Sequence, residues 1–346
     1  MKKPGILKQA IMLRMLYALA PVLMVAIYYF GWRVFFLVLT AFIVAFGTEW
    51  IMAEQRKGKI STACFVTAAL FGLSLPPTTP FWIAAVGAGV AILFGKEVFG
   101  GFGRNVFNPA VVGRAFVYVC FPVELTSSFV PVFRGVPGGF SHWSFASLKT
   151  APSYLAEKGL TLVDAITTAT PMWSRRDYDH VTGLIDLITG SIGGVFEYDG
   201  YHHALAAGSA GEVCAWVILL SGVYLLYTKT AQYRLIAGTL AGAVGINVLL
   251  RHGFGLLEVP PVGFTLFSGA LLYGAVFMVT DPVSAPNQPV SQWIYSVFIG
   301  VMIVFFRWKA VFAGGVAFSI LLGNMLAPSL DLWVKRYRSY RKKDSS

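Results

Sequence analysis

The sequence predicts an all-α polytopic membrane protein with about ten transmembrane helices and one long extracytoplasmic loop. Three observations carry this. Hydrophobic residues make up 56% of the 346-residue chain and charged residues only 12%, where a soluble domain carries about 25% charged residues. The apolar residues fall into runs near 15–31, 33–53, 60–76, 80–95, 109–122, 211–228, 233–250, 262–279, 291–306 and 311–327, most of them suited to crossing a hydrocarbon layer of about 30 Å. The runs are interrupted once, between Pro122 and Ala206, by a long polar segment.

Taken in order, the first run resembles a signal peptide, because Lys2, Lys3 and Lys8 precede the apolar stretch Leu16 to Phe30. A second apolar run follows at once, so the first is read as a retained helix. Several later runs are short or broken by glycine, which leaves room for half-helices or re-entrant segments. The 36 glycines suit helices packed backbone to backbone in lipid. Basic residues set the orientation. With a cytoplasmic N-terminus, the inner segments hold Lys2, Lys3, Lys8, Arg14, Arg56, Lys57, Lys59, Lys96, Arg104, Lys229 and Arg234. The tail adds Lys335, Arg336, Arg338, Arg341, Lys342 and Lys343, making 17 of the 27 basic residues. The expected layout is a cytoplasmic N-terminus at 1–14, helices 1–5 over 15–122 and an extracytoplasmic segment at 123–206. Helices 6–10 follow over 207–328, with a basic cytoplasmic tail at 329–346. Asn108-Pro109 and Asp281-Pro282 each follow a glycine- and phenylalanine-containing run, as in a repeat. Inverted five-helix repeats would place them on opposite sides, and this topology places both inside, so two five-helix repeats stay open.

Composition also excludes. A net charge of +11 suggests nucleic acid, but the charges lie between apolar runs, so no nucleic-acid partner is expected. A membrane haem needs paired histidines on the spans, and His142, His180, His202, His203 and His252 all fall in segments assigned outside. Cys64, Cys120 and Cys214 lack the spacing of an iron–sulfur or zinc site. They read as small buried hydrophobes, and no metal site is expected.

Three stretches carry chemistry. In Gly100-Gly101-Phe102-Gly103-Arg104-Asn105-Val106-Phe107-Asn108-Pro109, glycines admit close backbone approach and the amides of Asn105 and Asn108 donate and accept. The bland alternative is a tight turn between helices. In Thr280-Asp281-Pro282-Val283-Ser284, an acid sits at a helix break at membrane depth, a functional position by default. The alternative is an Asp N-cap followed by Pro at N1. Glu49, Arg114, Glu212 and Asp331 are further ionisable residues in or beside spans, to which the sequence alone assigns no role. In the outside segment, Asp164-Ala165-Ile166-Thr167-Thr168-Ala169-Thr170-Pro171 reads, without context, as a threonine-rich turn whose hydroxyls cap backbone amides.

Together these stretches resemble one family, which joins the RnfD component of the Rnf complex and the NqrB component of the sodium-pumping NADH:quinone oxidoreductase (Nqr). The resemblance covers nearly the whole chain. It includes GRNVFNPAVVGRAF from Gly103, GSAGE from Gly208 to Glu212, and FMVTDPVSAP from Phe277 followed by glycine-rich spans ending Leu326-Ala327-Pro328-Ser329-Leu330-Asp331. It implies that a flavin transferase esterifies the phosphate of FMN onto Thr170, within a motif running from Asp164 through Thr167. It further implies a second, non-covalent flavin, riboflavin, on the cytoplasmic side at Asn105, Asn108 and Asp281. Thr168 stands where the family more often has glycine. Ser61-Thr62-Ala63 stands where quinone-reducing members carry an acid, and their long N-terminal extension is missing. Both features favour the Rnf type over the Nqr type.

The function so implied is electron transfer within an ion-translocating oxidoreductase of the bacterial inner membrane, of the ferredoxin:NAD⁺ type. Its partners would be other membrane and peripheral subunits, including a second flavin-carrying subunit. A charge added in low dielectric favours uptake of a compensating cation. That ties electron flow to Na⁺ or H⁺ movement, with Glu49, Asp281 and Asp331 as candidates for the ion path. The rival reading is a cofactor-free solute channel or permease, which explains spans and helix breaks but leaves the threonine motif without a purpose.

Overall fold

The computed structural model describes residues 5–166, 168–310 and 314–343, and they are mostly helical. The first half contains α1 (Ala10–Phe30), α2 (Trp32–Gln55), α3 (Ala63–Leu73), α4 (Phe81–Ile92, continued by a wide π-type turn over Leu93–Glu97) and α5 (Pro109–Cys120). Short helices follow, of which α6 (Pro171–Tyr178) bears on the site. The second half contains α7 (Ala215–Tyr227), α8 (Tyr233–Val248, continued by a second wide turn over Leu249–Gly253), α9 (Val262–Phe267), α10 (Pro289–Lys309) and α11 (Gly315–Lys343). Five of these are long and apolar enough to cross a membrane: α1, α2, α8 with its wide turn, α10 and α11. The apolar α3, α5 and α7 are shorter.

The departures from the expected runs have local causes. The run at 60–76 is helical only over α3, whose 11 residues span about 16 Å at 1.5 Å per residue, half of a hydrocarbon layer. Every residue of α3 except Phe65 is buried. Beyond its end, the amides of Ala210 and Gly211 donate to the carbonyls of Leu75 (3.0 Å) and Leu73 (2.7 Å). Non-helical backbone at membrane depth is tolerated where protein encloses and pairs it. Packing of Gly208–Glu212 against α3 also delays the start of α7 to Ala215. The run at 262–279 breaks after α9 at Gly269, which takes φ +59°. It resumes at Leu271–Tyr273 and ends in a wide turn over Gly274–Met278. The basic tail is helical, because α11 continues through Pro328.

Glycine sets the helix spacing. A Cβ on Gly300 of α10 would lie 2.1 Å from the Thr239 carbonyl oxygen of α8, and one on Gly242 would lie 2.4 Å from that of Val297. The two backbones therefore touch, as small residues allow between membrane helices. Gly31 alone joins α1 to α2, at φ +91°, with the carbonyls of His142 and Trp143 where a Cβ would go. The amides of Trp32 and Arg33 donate to those same carbonyls at 3.2 and 2.9 Å. The α1–α2 junction thus shares a side with the polar segment. On the opposite side, β1 (Ile6–Leu7) pairs in parallel with β2 (Ile60–Ser61), and the Arg14 guanidinium donates to the Thr228 carbonyl at 2.9 Å. The basic residues around Lys8, Lys57 and Lys229 accordingly gather away from the polar segment.

Within that segment, β3 (Val195–Tyr198) and β4 (Tyr201–Ala204) form an antiparallel hairpin. Its turn is Asp199-Gly200, both at positive φ, the pairing a tight hairpin turn demands. Beyond β4, Leu205 bridges Ala169, and the Ala206 amide donates to the Ala169 carbonyl at 3.1 Å. That clamp fixes the backbone next to Thr170.

Candidate functional site

Two cavities, one toward each side, gather Thr170 and the group Asn105, Asn108 and Asp281 from the residues singled out from sequence. The outer one has a volume of about 570 Å³, within the roughly 300–1,000 Å³ of small-molecule sites. Thr170, Trp173, Arg175 and Arg176 line it from the polar segment. Arg114 and Tyr118 come from α5, Ser209 and Glu212 from the loop before α7, and Arg307 and Trp308 from α10.

Thr170 occupies the N-cap of α6, with Pro171 at N1 and no capping bond from its side chain. The hydroxyl is left for other chemistry. The first-turn amides of Met172 and Trp173 have no intrahelical acceptor by position, and a helix N-terminus favours an anion. A phosphoester on Thr170 would therefore sit at a favourable helix end, beside arginines and two tryptophans. Arg175 pairs with Asp179, Arg176 with Asp177 at 2.8 Å, and the Arg176 guanidinium lies 5.6 Å from the Trp173 ring centroid. The residues fit a flavin nucleotide.

Asp164, at the start of the motif, is exposed. Asp164 accepts from the Thr161 amide (2.7 Å) and hydroxyl (2.6 Å), and its own amide donates back to that hydroxyl. This is a capping box. The hydroxyl and amide of Thr161 hold the Asp164 carboxyl below its usual range. The Thr168 hydroxyl donates to the Ala165 carbonyl at 3.2 Å. Thr167 lies outside the described residues.

The deeper wall of this cavity is what sequence reasoning missed as a site. Arg307 donates to the carbonyls of Thr265 (2.7 Å) and Ser268 (3.0 Å) at the end of α9, and Glu212 accepts from the Ser209 amide at 2.9 Å. Arg114 donates to the Ser209 hydroxyl at 3.3 Å and stacks on Tyr118, 5.2 Å from the ring centroid. The available signal was an arginine inside the apolar VVGRAF run and a glutamate beside a glycine-rich loop.

The inner cavity brings together Asn105, Asn108 and Asp281, as expected, with Lys96, Phe102 and Phe277. Their polar groups are already engaged. Asn108 caps α5 by accepting from the Ala110 amide, and its side-chain amide donates to the Met278 carbonyl at 3.1 Å. Asn105 donates to the Phe107 carbonyl at 3.0 Å. Asp281 accepts from the Ser284 hydroxyl (2.8 Å) and the Val283 amide (3.3 Å). Asn324 of α11 joins the two loops, accepting from the Asn108 amide at 3.1 Å and donating to the Tyr295 hydroxyl at 2.7 Å. It was missed, although an asparagine in the apolar LLGNML run is a visible anomaly. The enclosed space is about 40 Å³, far below that of small-molecule sites. A flavin does not fit there.

The three candidate ion-path acids do not converge. Glu49 is buried at the end of α2, where it pairs with Lys96 at 2.6 Å and accepts from the Ser61 amide and hydroxyl at 2.7 and 2.9 Å. Lys96 also lines the inner cavity, so Glu49 stands one side chain behind Asp281. Asp331 lies apart, accepting from the amides of Asn287 and Gln288 ahead of α10.

Comparison with known proteins bears on this arrangement. Residues 4–339 match the NQR2, RnfD, RnfE family. The chain belongs to that family. It is 35% identical over 345 residues to the D-type component of the ion-translocating oxidoreductase complex of Alcanivorax borkumensis, covering 97% of this chain and 94% of the relative. The corresponding component from Aeromonas salmonicida is 33% identical over 350 residues, covering 93% and 92%. The B-type component of the Na(+)-translocating NADH-quinone reductase of Azotobacter vinelandii is 34% identical over 297 residues, covering 85% of this chain and 64% of the relative. Its relatives are thus subunits of multi-subunit redox complexes that move ions, and the several apolar helices make this a multi-pass membrane protein.

Proposed function

We propose that this chain is the membrane electron-transfer subunit of an Rnf-type complex of the bacterial inner membrane, carrying FMN as a phosphoester on Thr170. One observation supports the reading above others: Thr170, whose hydroxyl makes no capping bond, lines a 570 Å³ cavity walled by arginines and tryptophans. FMN supplies the redox chemistry. The chain supplies its place: the helix end at Thr170 and the flanking cations favour the phosphate, and Trp173 and Trp308 offer apolar faces. Asp164, exposed on its capping box, leaves the motif accessible to a flavin transferase. Near-full coverage of the ion-translocating oxidoreductase relatives, and Ser61-Thr62-Ala63 ahead of α3, favour the Rnf type over the Nqr type.

In this reading the segment 123–206 is extracytoplasmic and both ends are cytoplasmic, in line with the basic residues gathered on the other side. The FMN exchanges electrons with a second flavin-carrying subunit at that outer face. Glu49, Asp281 and Asp331 serve the movement of Na⁺ or H⁺. The test is in-gel fluorescence of the full chain co-expressed with a flavin transferase. The wild type gives a fluorescent band at 37.6 kDa after denaturation and Thr170→Val gives none. A dark wild-type band would overturn the proposal.

A further inference from the structure

The wall of the outer cavity contains a cation with an unused donor. Arg114 is 6% exposed, its Nη2 donates to the Ser209 hydroxyl at 3.3 Å, and its Nη1 has no hydrogen-bond partner. A buried guanidinium N–H without an acceptor is costly, and this one lines a cavity large enough for a ligand. The other arginines of the cavity differ. Arg175, although its Nε also lacks an acceptor, and Arg176 are paired with carboxylates, and Arg307 donates from both terminal nitrogens to carbonyls at the end of α9. Glu212 is the carboxylate of this inner wall and faces both Arg114 and Arg307, so the wall carries one positive charge in excess.

We infer that Arg114 is a positioning residue for the flavin that the proposed function seats here: its free Nη1–H donates to the carbonyl-bearing pyrimidine edge of the ring. The inference rests on that reading. The pyrimidine edge is where negative charge gathers when the ring takes up an electron from a one-electron donor. A fixed, buried cation beside that edge then stabilises the reduced ring more than the oxidised one. Arg114 thereby raises the reduction potential of the outer flavin. Tyr118, whose ring lies against the guanidinium, holds the fork in place.

The test uses the full chain with its flavin transferase, purified in detergent and reduced stepwise with dithionite in the presence of mediators. The covalent flavin is read as the difference from Thr170→Val. In Arg114→Gln the in-gel fluorescence stays at the wild-type level. The ratio of oxidised to reduced flavin at a fixed ambient potential rises at least tenfold, a downward shift of about 59 mV for one electron. Arg114→Lys, which keeps the charge but loses the planar fork, shifts the same way by less, and it serves if the Gln variant does not accumulate. Normal fluorescence with a ratio within twofold of wild type in the variant that accumulates overturns the role of Arg114. A dark wild-type band instead overturns the reading beneath it.

Discussion

Glu49 and Lys96 form a buried pair whose disruption has a calculable consequence. Their side chains are 1% and 2% exposed, with 2.6 Å between carboxylate and ammonium, and Ser61 binds both partners. Glu49→Gln leaves the Lys96 charge in the interior, and Lys96→Met leaves the Glu49 charge there. Removing one member of a buried pair costs about 3–5 kcal/mol. The double variant strands no charge and keeps an acceptor for the Ser61 amide, so it should lie within about 1 kcal/mol of wild type, because apolar replacement of buried pairs is close to neutral. The coupling between the two positions should then exceed about 2 kcal/mol, with little dependence on salt, since buried pairs are weakly screened. The assay is SDS-titration unfolding of the full chain in detergent, followed by tryptophan fluorescence. Single variants that each cost under about 1 kcal/mol, as exposed pairs do, would show that the pair is not held in the interior. A double variant no better than either single would show the same.

Three further outcomes follow from other parts of the molecule. His180 stacks on Phe196, 4.5 Å between ring centroids, and burial pushes its imidazole below the ordinary 6.5. A depressed base favours the folded form above the unfolded value. The stability of the outer segment should therefore fall as pH drops below about 6.5, and His180→Gln should flatten that dependence in hydrogen exchange over 123–206. Asn324→Leu removes the acceptor for the Asn108 amide and a donor to Tyr295. It should cost about 1–3 kcal/mol in the same SDS titration and speed exchange in both motif loops. Gly300→Val places methyl groups into the α8 backbone and should destabilise by about 1–3 kcal/mol or more, read as a lower melting temperature in detergent.

Much of the architecture was legible because apolar run length and charge placement are direct physical signals. The long helices α1, α2, α8 and α10 lie close to their expected bounds. Where the sequence misled, the cause was tertiary. The run at 60–76 is mostly apolar up to Pro76-Pro77, which mark a helix stop, so α3 ends just before a local signal; the Gly208–Glu212 loop that packs beneath that end is what the run does not show. Asn105, Asn108 and Asp281 were rightly grouped, yet Asn108 acts as a helix cap and the space they enclose is small. Cavity volume depends on neighbours such as Phe102 and Phe277 and leaves no trace in a motif. Arg114 and Arg307 are 193 residues apart in sequence, and only the fold brings both to the lining of one cavity.

Everything proposed for the outer cavity depends on the ester at Thr170, and peptide mass spectrometry of the full chain matured with a flavin transferase reads that bond itself. One FMN-bearing peptide from the 164–171 stretch is expected, with fragmentation placing the phosphoester on Thr170. An unmodified peptide, or the ester on Thr167 or Thr168 with Thr170 bare, would overturn it.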